Sequence, residues 1–291
     1  MAVGVDADLV VPGDREFRFR VGLRPVDAAN WLEPDERRNA ELLAKQELLS
    51  QRHDEVVATL PGSESASLEV LELVIDELTR RELVTHSGAV ARDLGTGIEV
   101  RCDELHPIDA AGRLIQEDLC VMAPGPQGHE LVAASLCFPG RWRLADKIGR
   151  SMAEIHASVP RYGTDVSDAA DRVLARLAPG RIVERFNWSV MDDATLFQPS
   201  GHGRSDEPPA TIGSEVVLRT ERQTLRGLTD GSVLFGIRTR VRTLDELAGR
   251  PEFCGELADS LRRLPDDVVG YKSLSRLRPV VIVWLEAAAG R

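Results

Sequence analysis

The chain has 291 residues, with Asp+Glu 47 against Lys+Arg 36 and a formal charge of -11. This balance argues against a broad phosphate-binding surface, so nucleic acid is not an expected partner. Hydrophobic residues at 43% and charged residues at 29% fit an ordinary globular cytoplasmic protein rather than a disordered one.

The N-terminus carries acidic residues early and lacks a basic start followed by an apolar secretory stretch. An irregular opening leads into GLRPVDAANWLEPDERR, where Asp27 and Asp35 are placed to cap helices. Apolar residues at helical spacing predict helices over 36–49 and 67–83, with Pro61-Gly62 as the break between them. After about residue 90 strand-like runs begin, at 97–102, 118–123 and 130–138. Residues 142–155 read as one helix and 165–177 as another. Three extended runs follow, at 181–190, 215–225 and 232–241, and the last two should pair as an antiparallel hairpin through Gly231. Residues 197–211, rich in Pro, Gly, Ser and charge, read as an exposed excursion. The tail returns to helix over 244–264 and near 270–277. The apolar run Pro279 to Leu285 is far shorter than the roughly 20 residues of a membrane span, and reads as a buried strand or terminal segment. No membrane is expected as a partner.

This order predicts an α+β fold built on one antiparallel sheet. Two strands, a helical crossover and a three-stranded meander make a PAS-like layout with N-terminal and C-terminal helical extensions. The expected division is a helical extension over 1–90, a core over 91–245 and a helical segment over 246–291, packed as one unit. The four cysteines, Cys102, Cys120, Cys137 and Cys254, show no CxxC spacing, which points to neither structural zinc nor an iron-sulfur cluster.

Five strings then stand out: GLRPVDAANWLEPD at 22–35, EDLCVM at 117–122, CFPGRWRLADKIGRSMAEIHASVPRY at 137–162, RFNW at 185–188 and LRTERQTLRGL at 218–228. Together they resemble the haem-dependent oxidative N-demethylase family, over most of the chain. The resemblance implies a PAS-like sheet cupping haem b and an oxygenase that demethylates a small amine with dioxygen, releasing formaldehyde. It also implies electrons from an external partner, a reductase subunit or ferredoxin carrying flavin and a 2Fe-2S cluster. In agreement, the chain has no G-x-G-x-x-G fingerprint.

A haem iron needs an axial donor, and six histidines compete for the role. His156 is the favoured ligand, because it ends the helix before the meander, where haem-binding PAS folds carry theirs. The alternative is a helix-end histidine that bonds a carbonyl and neutralises the helix dipole. His106 and His129 read as surface residues, and His53, His86 and His202 as solvated ones. Cys120 or Cys137 would give thiolate ligation, but buried cysteine on strands usually only packs.

Strand alternation places Glu221 and Gln223 on one face of the ERQT run and Arg222 and Thr224 on the other. Glu221 is a candidate to hold an ammonium substrate and Arg222 to polarise dioxygen or pair a propionate, yet both reach one pocket only if a bulge intervenes. The other reading is a ladder of salt bridges on the sheet surface. In RFNW, Arg185 and Asn187 share one face and are candidates for a propionate or the distal pocket, as are Arg238 and Arg240. The resemblance implies a tyrosine near position 240, where this chain has arginine. Lys147 and Arg150 either face propionates or lie on a solvated helix face. Arg24 and Trp31 read as anchors of the N-terminal helices, the alternative being to clamp a partner or cover a haem edge. A haem-based PAS sensor without turnover is the competing function.

Overall fold

A computed structural model describes residues 22–200 and 209–291; His202 lies outside the described residues. Its main element is a seven-stranded sheet in the order β1-β8-β9-β10-β6-β7-β2. The strands are β1 (Arg24–Pro25), β2 (Val57–Thr59), β6 (Asp118–Gly125), β7 (Gly128–Ser135), β8 (Ile182–Met191), β9 (Val217–Gly227) and β10 (Val233–Thr243). Every pairing in it is antiparallel. A second, small sheet joins β3 (Val84–Ser87), β4 (Val90–Asp93) and β5 (Glu99–Arg101). The mixed architecture agrees with the α+β expectation. The β3–β4 hairpin straddles residue 90, and β1 and β2 supply both edges of the main sheet, so residues 22–90 are woven into it as well as packed on it.

The meander β8-β9-β10 forms because alternating residues there are buried on both sides of the sheet. One face carries Leu119, Val121 and Leu234 against the helices Glu64–Arg80 and Pro107–Gly112. The helix Glu64–Arg80 buries Val70, Leu71, Val74, Ile75 and Leu78, a stripe at helical spacing. Each such side chain contributes about 1.5–3 kcal/mol on burial. The opposite face carries Cys120, Met122, Leu225, Val233 and Ile237 against Leu144 and Leu174 of the crossover. The C-terminal helices Pro251–Arg263 and Leu277–Ala288 form a third cluster with Trp188, Val190 and Leu218.

Several expected elements differ; the helix expected over 244–264 is broken between Leu244–Leu247 and Pro251–Arg263, and the one expected near 270–277 is Asp266–Tyr271. Residues 142–155 are not one helix: a 3-10 turn at Leu144–Asp146 and a short helix at Met152–Ile155 flank Gly149, whose φ of +77° breaks the run. Pro279 to Leu285 is not a strand but lies inside the helix Leu277–Ala288, where Leu277, Val281 and Leu285 face the core. Among the described residues no helix is long and apolar enough to cross a membrane.

Candidate functional site

The register of the meander assembles the site. Arg185 on β8 lies opposite Gln223 on β9, which lies opposite Ile237 on β10; one step along, Asn187, Glu221 and Thr239 form the parallel row. Directly paired residues share a face, so these side chains stand on the side covered by the crossover. Glu221 is held there from several directions. Its Oε2 accepts from Asn187 Nδ2 at 3.3 Å and from Gln223 Nε2 at 3.0 Å, and its Oε1 lies 3.5 Å from Arg219 Nε. Arg219 is itself buried and donates to the carbonyls of Phe138 and Leu196 and to Thr239 Oγ1. A Cβ at Gly140 would stand 3.3 Å from Glu221 Oε1, so the CFPGR loop passes close over the carboxylate.

His156 follows the helix Met152–Ile155, whose start is fixed by a capping box between Ser151 and Glu154. Its Nδ1 bonds the Met152 carbonyl at 2.9 Å, which assigns the proton to Nδ1 and leaves Nε2 with a lone pair and no hydrogen-bond partner among the described residues. The carbonyl contact is the one expected of an ordinary helix-end histidine; it is also the contact that orients a ligating imidazole. The ring stacks on Tyr162 with centroids 4.6 Å apart and planes within 10°. Burial pushes the His156 pKa down, Met152 opposes this, and Arg185 and Lys147 add to the fall, so the ring is held neutral.

Tyr162 is buried, its hydroxyl has no hydrogen-bond partner, and burial with Asp171 pushes its pKa up to about 12 against the pull of Arg185. Arg185 makes no hydrogen bond or ion pair among the described residues; burial lowers its pKa, with Glu221 and Tyr162 opposing. From the C-terminal helices, Lys272 donates to the Trp188 carbonyl at 2.7 Å and lies 3.3 Å from Ser189 Oγ. Burial pushes its pKa down to about 8, opposed by Glu221 and reinforced by Arg185. Arg185 and Lys272 are half-buried, and both stand at the recessed side of the sheet that Glu221 faces. The half-buried apolar side chains Trp142, Ile148, Met152, Ile155 and Phe235 pack on the same core cluster.

The site therefore unites His156, Arg185, Asn187 and Glu221. It does not contain Arg222 or Arg238. No register shift interrupts β9, so Arg222 points to the other face, where it bonds Glu184 at 2.5 Å, Glu33 at 3.1 Å and the carbonyls of Asn30 and Trp31. Arg238 on the same face pairs with Asp35 at 2.7 Å and Glu41 at 2.8 Å, and Arg240 with Glu33 and Asp35. These arginines clasp the 22–35 string to the sheet. Buried Trp31 packs with the helix Glu64–Arg80 and lies under the Arg226 guanidinium, whereas Arg24 anchors to the sheet instead of the helices, joining Glu184 on β8 at 2.7 Å.

The remaining described histidines are engaged elsewhere. His129 is buried rather than on the surface and bonds the Gly231 carbonyl at 3.2 Å. His53 pairs with Asp109 at 2.8 Å, His106 caps the helix Pro107–Gly112, and His86 is exposed on β3. Burial pushes the thiols of Cys120 and Cys137 up, disfavouring the thiolate an iron would need. The sequence reading missed Tyr162, Lys272 and Arg219. A usable signal existed: the chain has only three lysines and two tyrosines, and Lys272, Lys147 and both tyrosines lie in electrostatic range of His156, Arg185 or Glu221.

A family model described as haem-dependent oxidative N-demethylase, alpha subunit-like, matches residues 22–282, from the N-terminal clasp through the last helix. The chain belongs to the haem-dependent oxidative N-demethylase, alpha subunit-like, family.

Proposed function

We propose that this chain is a haem b oxygenase that removes a methyl group from a small amine, with His156 as the axial ligand. The observation that carries the reading is His156 Nε2, an unengaged lone pair on an imidazole pinned through Nδ1 and kept neutral, beside a face that holds one carboxylate. Histidine with its second nitrogen on a carbonyl is a common donor arrangement for iron. The residues present fit a haem: a free imidazole nitrogen, a half-buried arginine without a partner and an apolar wall.

The sheet supports a PAS-like reading of the core. Numbering β6, β7, β8, β9 and β10 as one to five, they run 2-1-5-4-3 across it, two strands and a meander joined by the helical crossover. Bound haem would supply dioxygen activation and oxidation of the N-methyl carbon, with two electrons from a partner that carries flavin and 2Fe-2S groups, a reductase subunit or ferredoxin. Glu221 receives the ammonium of the amine, and Asn187 and Gln223 fix the carboxylate so that it need not reorganise when substrate arrives. Arg185 and Lys147, both felt by His156, offer cations to the propionates. The methyl carbon leaves as formaldehyde, one oxygen atom of dioxygen leaves as water, and the nitrogen keeps a proton. The cysteines are all free, which fits a cytoplasmic setting.

The test is the visible spectrum of the protein loaded with haemin, compared with His156→Ala, followed by dimethylamine-dependent oxygen consumption with a chemical reductant. A Soret band that His156→Ala shifts or loses, with amine-dependent turnover, is expected. A wild-type chain that binds no haemin overturns the reading, and haem binding with no amine-dependent turnover favours a sensor.

A further inference from the structure

We propose that Arg185 and Lys272 form a carboxylate-binding pair beside Glu221, so that the site receives a carboxylate as well as an ammonium. The inference rests on the amine-oxidising reading of the site and adds a second charged group to what it binds. Asn187 bonds Glu221, and on the same face of β8 stand Arg185, two residues before it, and Ser189, two residues after it, whose hydroxyl takes the Lys272 ammonium; Arg219 lies 3.5 Å from the carboxylate. Arg219 is the nearest to Glu221 and is braced by two carbonyls and a hydroxyl, so it serves as that carboxylate's counter-ion.

The other two cations are left over. Among the described residues Arg185 makes no hydrogen bond or ion pair, and Lys272 donates to a backbone carbonyl and a serine hydroxyl, both neutral acceptors, with the Trp188 ring 5.7 Å from its ammonium. Arg185 is close enough to help push the Lys272 pKa down, after burial. Desolvated like charges are costly unless an anion joins them, and a guanidinium with an ammonium makes a fitting cradle for a planar carboxylate. A second, independent sign is the orphaned hydroxyl of buried Tyr162, which lies in electrostatic range of Arg185 and has a donor to spare. Tyr271, half-exposed and in range of Glu221, stands next to Lys272 on the chain.

The carboxylate has two sources: the amine substrate itself, as in an N-methyl amino acid, or a haem propionate. Calorimetric titrations of the full chain separate them, using N-methylglycine, dimethylamine and acetate as probes against wild type, Lys272→Met and Lys272→Arg, with and without haemin. Thermal melts establish that each variant is folded. If the substrate brings the carboxylate, N-methylglycine binds the haem-loaded protein more tightly than dimethylamine by roughly tenfold to a hundredfold, the worth of a charge-assisted contact. Lys272→Met then erases the preference, and Lys272→Arg keeps most of it. If the propionate is the partner, Lys272→Met leaves the ratio of the two amines unchanged and speeds haemin loss, while haemin dimethyl ester is lost equally fast from both proteins. If wild type binds no haemin yet binds acetate, and Lys272→Met weakens that binding, the pair stands and the haem reading falls. Folded Lys272→Met and Arg185→Met proteins that match wild type for every probe and for haemin retention overturn the pair.

Discussion

Replacing Glu221 with glutamine removes one charge and almost no volume, and the structure sets the size of the effect. Asn187 and Gln223 both donate to Oε2, so an amide oriented with its oxygen there keeps those two bonds and turns its NH2 toward Arg219 Nε. Arg219 then faces a donor where it had an anion, while its bonds to Phe138, Leu196 and Thr239 remain. Loss of the anion beside a buried guanidinium that has no hydrogen-bond acceptor at Nε costs about 1–3 kcal/mol, which lowers the melting temperature by a few degrees in a chain of this size. The larger consequence falls on the amine. Loss of a charge-assisted contact to its ammonium, about 1.5–3 kcal/mol, weakens binding by roughly tenfold to a hundredfold. The assay is a titration of the haem-loaded protein with dimethylamine, read by the Soret difference spectrum, beside a thermal melt. A folded Glu221→Gln protein with an unchanged dissociation constant would refute the assignment of Glu221 as the ammonium site.

Three further outcomes are expected. Arg222→Met takes one of two cations from buried Glu184, which keeps Arg24, and weakens the hold on Asn30 and Trp31, so urea melts should show a loss of about 1–3 kcal/mol, while the folded fraction keeps the wild-type Soret position. Lys272 binds its proton less tightly folded than unfolded, so the unfolded chain holds more protons from about pH 8 up to about 10.4 and stability gains from this group as pH rises through that window. Urea melts at pH 7.5 and 9.5 should show the gain to be smaller in Lys272→Met; an equal change in both proteins would contradict it. Native protein treated with a thiol reagent near neutral pH should leave Cys120 and Cys137 unmodified until denaturant is added, because burial keeps both thiols protonated and covered.

The meander was legible because period-two alternation survives in β8, β9 and β10, where each side of the strand meets a different packing partner. The same alternation separates Glu221 from Arg222. It could not say which face held the site, and Arg222 and Arg238 were candidates until the 22–35 string was found against their side of the sheet. Gly149 hid the break in 142–155, since the apolar residues on either side keep helical spacing across it. Pro279 to Leu285 is too uniformly apolar for a period to show, and only its packing on Pro251–Arg263 makes it a helix. Lys272 reaches Trp188 across 84 positions of chain, a contact no local pattern encodes.

The arginines of the clasp and the carboxylate of the site alternate along a single strand, and that gives β9 a reading frame. Glu221 and Gln223 face the recess while Thr220, Arg222 and Thr224 face the N-terminal string. One residue inserted upstream within β9 would turn Arg222 toward the face of Asn187 and bury Glu221 among Glu33, Asp35 and Glu184, emptying the proposed ammonium site and loading the clasp with like charge in the same stroke. Substitutions at single positions of this strand damage one face or the other; a shift in frame damages both. The strand should therefore accept changes of residue far more readily than any change of length.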